Sequence, residues 1–65
     1  MRTFQVRLFP DGEYEKIEAA TAKDAAEKKY GRKLSEIGRN DELRALAHEM
    51  KWPRDPSPRL FYDRE

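Results

Sequence analysis

Chemistry in a short chain needs nucleophiles, bases or metal ligands at workable spacing, and here the supply is thin. His48 is the single histidine and there is no cysteine. A catalytic histidine needs a nucleophile and an orienting acid beside it. The hydroxyls of Thr3, Thr21, Ser35 and Ser57 stand in no recognisable arrangement with it. A metal site would need further ligands at set spacing, such as a second histidine one helical turn from His48, and none is present. Glu13, Glu15 and Glu18 are close in sequence, but acid–base work needs environments that push two pKa values apart, and a small domain offers little room for such a pocket. Gly12, Gly31 and Gly38 are too scattered for a phosphate-cradling loop. The expectation is a protein that is not an enzyme, with no catalytic residue, metal, cofactor or small-molecule substrate.

Two patterns point instead to binding. The segment Lys28-Lys29-Tyr30-Gly31-Arg32-Lys33 gathers four cations around one aromatic ring. Lys28, Lys29, Arg32 and Lys33 are candidate phosphate contacts, with Tyr30 able to stack on a base. The plainer reading is a helix C-terminus, where cations complement the dipole and Tyr30 turns inward. Pro53-Arg54-Asp55-Pro56 is formally a PxxP segment, although any proline-rich connector has the same form.

The second pattern is a hairpin over residues 3–20. Phe4, Val6 and Leu8 alternate with Thr3, Gln5 and Arg7, the period of a half-buried strand. Pro10-Asp11-Gly12 supplies a fixed φ, a self-bonding side chain and a residue tolerant of positive φ. A three-residue loop would set Val6 against Lys16. With Pro10 to Glu13 as the loop, Val6 meets Ile17, Phe4 meets Ala19, and Phe9 meets Tyr14 on the other face. A one-residue slip reverses every side chain, so the second register is preferred. It puts Phe9, Tyr14, Arg7, Lys16, Gln5 and Glu18 on the outer face, and Phe61 joins them if Leu60 and Tyr62 point inward. Aromatics among cations on an antiparallel face suit a protein contact, or a single-stranded nucleic acid, or merely clamp a hairpin.

Positioning these residues requires a helix and a way back. Thr21-Ala22-Lys23-Asp24 opens a helix over about 22–30 in the manner of a capping box, and Gly31 suits its left-handed end. Ala22, Ala25, Ala26 and Tyr30 form its apolar stripe. Leu34 and Ile37 fit a single helical turn in the connection. Asn40-Asp41-Glu42 reads as the start of a second helix over about 41–52, with Leu43, Leu46, Ala47 and Met50 at i, i+3, i+4 and i+7. His48 lies beside that stripe. Pro53 ends this helix, residues 53–58 form a proline-rich connector, and Leu60-Phe61-Tyr62 begins a short strand over about 59–63. The expected core runs through Phe4, Val6, Leu8, Ile17, Ala19, the helical alanines, Tyr30, Leu43, Leu46, Ala47 and Met50, with Leu34, Ile37 and Trp52 at its edges.

Composition sets the scale. The 65 residues make one domain near the lower limit for a self-supporting core, with 37% of the chain hydrophobic and 42% charged. Fourteen basic against thirteen acidic residues leave a net charge of +1, which does not advertise a nucleic-acid binder. No stretch resembles a signal peptide or a membrane span, so a cytoplasmic protein is expected.

The hairpin followed by Ala19-Ala20-Thr21-Ala22-Lys23-Asp24-Ala25-Ala26-Glu27-Lys28-Lys29-Tyr30-Gly31 resembles the opening of the LX protein family of the archaeal ribosome. That family also has a hairpin leading into an alanine-rich helix ending near Tyr and Gly. The likeness covers about the first half of the chain. The near-neutral charge and the residues from Leu43 onward depart from it, so its RNA-binding role is not carried across.

The sequence therefore predicts a small single-domain α+β fold of order β-β-α-α-β, its three-stranded sheet in spatial order 2-1-3 with two helices packed on one face. Its expected function is a small non-catalytic binding module acting through protein–protein contacts, including self-association as a homodimer. Single-strand RNA or DNA binding, or association with a ribonucleoprotein, is the alternative.

Overall fold

The structure, a computed structural model, describes residues 1–51 and 56–64. Four strands, β1 (Arg2–Leu8), β2 (Glu15–Ala19), β3 (Leu43–Glu49) and β4 (Arg59–Tyr62), form one antiparallel sheet in the order β2-β1-β3-β4. One helix, α1 (Ala22–Tyr30), covers a single face of it. The fold is α+β, but with four strands and one helix rather than three strands and two.

α1 begins where its caps dictate. The Thr21 hydroxyl accepts the Asp24 N–H at 3.1 Å, meeting one of the helix's orphan donors. Gly31, at φ 89°, closes the last turn by donating to the Glu27 carbonyl. Between these ends Ala22, Ala25 and Ala26 are buried against the sheet.

The expected second helix is β3. Leu43, Leu46, Ala47 and Met50 match a helical period, but Leu43, Ala45 and Ala47 match a strand period equally well, and a short apolar run cannot choose between them. Tertiary context decides. β1 is a central strand, and β3 fills its second edge by pairing Phe4 to Leu8 with Glu49 to Ala45. Ala45 and Ala47 point inward with no exposed surface, and their small side chains suit close approach of the alanine face of α1. The Asn40-Asp41-Glu42 start signal yields only one 3₁₀ turn, Asn40–Glu42, before Leu43 takes extended geometry. Trp52 and Pro53, the expected end of that helix, lie outside the described residues, as does the Pro53-Arg54-Asp55 part of the connector and of the PxxP segment.

β4 pairs with β3, antiparallel, and does not lie beside β1. The inner face reads in cross-strand rows: Ile17, Phe4 and Glu49; Glu15, Val6, Ala47 and Arg59; Leu8, Ala45 and Phe61. Phe4, Phe61 and Val6 are the largest fully buried side chains. Leu34 closes the core beyond the end of α1, its N–H donating to Glu27 Oε2 at 2.9 Å. The helical turn expected around Leu34 and Ile37 is absent; Ser35 bridges to Tyr62 instead. Ile37 is 75% exposed, and Leu46 and Met50 lie outside the core.

The hairpin register differs from expectation by two residues. Phe4 faces Ile17, Arg2 faces Ala19 and Val6 faces Glu15. A two-residue slip preserves the parity of the faces, so the inward set is unchanged. The loop is longer because Phe9 continues the β1–β3 ladder, donating to the Arg44 carbonyl at 2.8 Å. Gly12 turns back with its N–H on the Leu8 carbonyl, and a Cβ there would lie 2.6 Å from that same oxygen. Gly12 is thus needed for close approach, not for positive φ, which only Gly31 adopts among the described residues.

Candidate functional site: the uncovered sheet face

Because α1 lies on one face, the other is left without a covering element among the described residues. Two rows cross it: Lys16, Gln5 and His48, then Arg7, Leu46 and Leu60. Glu18 and Thr3 form a third. Tyr14 and Leu60 are 44% and 42% exposed, while Leu46 and Phe9 are half-buried.

Arg7 organises the loop end of this surface. Its Nε donates to the Gly12 carbonyl at 2.8 Å and an Nη to the Pro10 carbonyl at 3.3 Å. Its guanidinium stands 5.1 Å from the Phe9 ring centroid, within cation–π range. Arg7 and Phe9 are therefore partly committed to holding the loop. Tyr14 does not face Phe9; it meets His48 edge-on, ring centroids 5.3 Å apart. Lys16 is exposed beside Gln5.

Phe61 does not join this face. It is fully buried in the row with Leu8 and Ala45, and Leu60 takes the outward position. The reversal follows from the β3–β4 register, which sets Phe61 opposite the buried Ala45 and Leu60 opposite Leu46, a non-local pairing that β4's own sequence does not encode. Leu46 and Leu60, which the pattern left out of the surface, belong to it.

The basic cluster is spread around the end of α1, and much of it is occupied internally. Lys28 Nζ donates to the Glu18 carbonyl at 2.8 Å, and Lys29 Nζ to Glu15 Oε1 at 2.6 Å. Arg32 lies 3.4 Å from Asp63 Oδ2. Lys33 makes no ion pair among the described residues. Lys28, Arg32 and Lys33 border an open hollow that also contains Asp24 and Glu27, so the cations face carboxylates. Tyr30 packs against the core and donates to Asp63 Oδ2 at 2.7 Å. That hydrogen bond, aided by desolvation, raises its pKa above the usual tyrosine value. A phenol held in this way is poorly placed to stack on a base.

At the far end of the sheet, Arg2 donates to both carboxylate oxygens of Glu49, at 2.7 and 2.6 Å. The bidentate contact holds Glu49 below the usual glutamate pKa. Among the described residues no three His, Asp or Glu side chains are grouped to hold a metal ion. No helix there is long and apolar enough to cross a membrane. Neither known protein families, nor curated proteins, nor solved structures contain a match to this chain.

Proposed function

We propose that this chain is a non-catalytic binding module whose uncovered sheet face docks a protein partner. The observation that carries the reading is the combination of Tyr14, Leu46 and Leu60 with Arg7, Lys16 and His48 on a face that α1 leaves open. Aromatic and aliphatic anchors with a polar rim are the composition of a protein interface. The internal engagement of Lys28, Lys29 and Arg32 favours a protein over a nucleic acid, which would need those cations for phosphate.

The test is photo-crosslinking of the full chain in native lysate, with a benzophenone amino acid at Tyr14 and a control at Lys23 on the exposed side of α1. Protein adducts at Tyr14 that are missing at Lys23 are the expected result. Adducts that disappear on nuclease treatment would replace the reading with single-strand nucleic-acid binding. Equal labelling at both positions, or none at Tyr14, would overturn the face as a binding surface.

A further inference from the structure

The two outer strands of the sheet are treated differently. β4 is closed: Ser35 exchanges both backbone hydrogen bonds with Tyr62, at 2.7 and 2.8 Å, and Glu36 pairs with Arg59. Among the described residues β2 has no neighbouring strand on its outer side. The Lys28 ammonium sits on the Glu18 carbonyl, so that carbonyl is turned away from β1. Main-chain groups in an antiparallel ladder alternate in direction. Lys16 and Glu18 therefore present their N–H and C=O groups outward, while Ile17 bonds inward to Phe4.

We infer that β2 is a self-pairing edge and that its partner is β2 of a second copy of this chain, joined antiparallel about a two-fold axis through Ile17. Residues directly opposite in such a pair lie on the same face, which forbids setting Lys16 against Ile17. Three symmetric registers then remain within reach. Centring on Lys16 opposes two lysines, and centring on Glu18 opposes two glutamates. Centring on Ile17 sets Lys16 against Glu18 of the second copy, twice, and brings the two half-buried Ile17 side chains together on the helix side. It also places the outward main-chain groups of Lys16 and Glu18 in hydrogen-bonding pairs. The Lys16 N–H of the second copy takes the place of the Lys28 ammonium on the Glu18 carbonyl, so in the single chain Lys28 acts as a removable guard on an exposed edge. Main-chain direction permits all three registers, and charge selects the one centred on Ile17.

This goes beyond the face proposed above and fails or stands separately from it. The test is sedimentation of the full chain from micromolar to millimolar concentration, with Lys16→Glu, Glu18→Lys and the double swap Lys16→Glu/Glu18→Lys. All three keep exposed positions exposed, and circular dichroism checks their fold. Each single reversal turns two attractive pairs into two repulsive ones and should weaken the dimer by about tenfold or more. The double swap should restore it. The Lys16 and Glu18 amides of the wild type should gain protection from hydrogen exchange as concentration rises. A wild type monomeric at millimolar concentration overturns the inference, even if those amides become protected by a foreign extended peptide. A dimer indifferent to both reversals, or one that the swap fails to restore, overturns it too.

Discussion

Phe61→Ala measures the inward orientation of β4 directly. Phe61 is fully buried in the row with Leu8 and Ala45, while its neighbour Leu60 is 42% exposed on the other face. Truncating a buried Phe removes its transfer free energy and leaves a cavity, at about 3–5 kcal/mol. A domain of 65 residues has a total stability of about 3–10 kcal/mol. The variant therefore keeps at most about 7 kcal/mol and at the low end is unfolded. In a chain this short each kcal/mol moves the melting temperature by about 4–8 °C, so a drop of at least about 12 °C is expected. Leu60→Ala deletes a half-exposed side chain and should cost about 1 kcal/mol or less.

Urea and thermal unfolding followed by circular dichroism compare the two. The difference between them carries the information, because errors in the unfolded reference largely cancel. A Leu60→Ala cost equal to or above that of Phe61→Ala would mean β4 presents the opposite face, and the β3–β4 register would be wrong.

Two further outcomes follow from the same geometry. Ala47→Leu adds bulk to a fully buried position between Val6 and Arg59, on the face covered by α1, and should destabilise by about 1–3 kcal/mol in urea titration; no loss would mean that α1 does not pack closely there. Glu49 has a folded pKa below its unfolded value because Arg2 donates to it, so its stabilising contribution is complete above the unfolded pKa and is lost as pH falls through the folded one. Melting temperature should decline across that acid window and Glu49→Gln should flatten the decline, whereas an identical slope in both proteins would remove the Arg2 contact as its cause.

How far the sequence could be read depended on whether each signal was local. α1 was fully legible, because Thr21, Asp24 and Gly31 act within a few residues of one another. Which side chains of β1 and β2 face inward was legible from alternation, but their register was not. A two-residue slip leaves the alternation intact, and the contact between Phe9 and Arg44 that lengthens the loop belongs to a strand more than thirty residues away. β3 was misread because Leu-Arg-Ala-Leu-Ala satisfies both periods, and only the vacant edge of β1 resolves them. The side of Phe61 is hidden for a related reason: it is set by pairing opposite Ala45 of β3, and alternation within Leu60-Phe61-Tyr62 alone fits either face. Of the expected surface, Arg7, Phe9, Tyr14 and Lys16 do lie on or beside the uncovered face; Leu46 and Leu60 became visible only once β3 was known to be a strand.

The proposed edge and the proposed face are not independent in space. Lys16 and Glu18 belong to both, since their side chains lie on the uncovered face while their main-chain groups line the open edge. In the proposed pair the two sheets become one of eight strands, and the rows through Lys16, Gln5 and His48 run on into those of the second copy. A thin core cannot support a broad surface by itself, but edge pairing extends the surface without enlarging the core. The guard residues fit this view. Lys28 and Lys29 hold the edge through flexible side chains on α1, which can yield to a main-chain ladder. At β4, by contrast, a main-chain bridge to Ser35 already occupies the position, so strand addition there would require breaking backbone hydrogen bonds. The asymmetry limits assembly to one edge per chain, and a single self-complementary edge closes at two copies instead of growing into a filament.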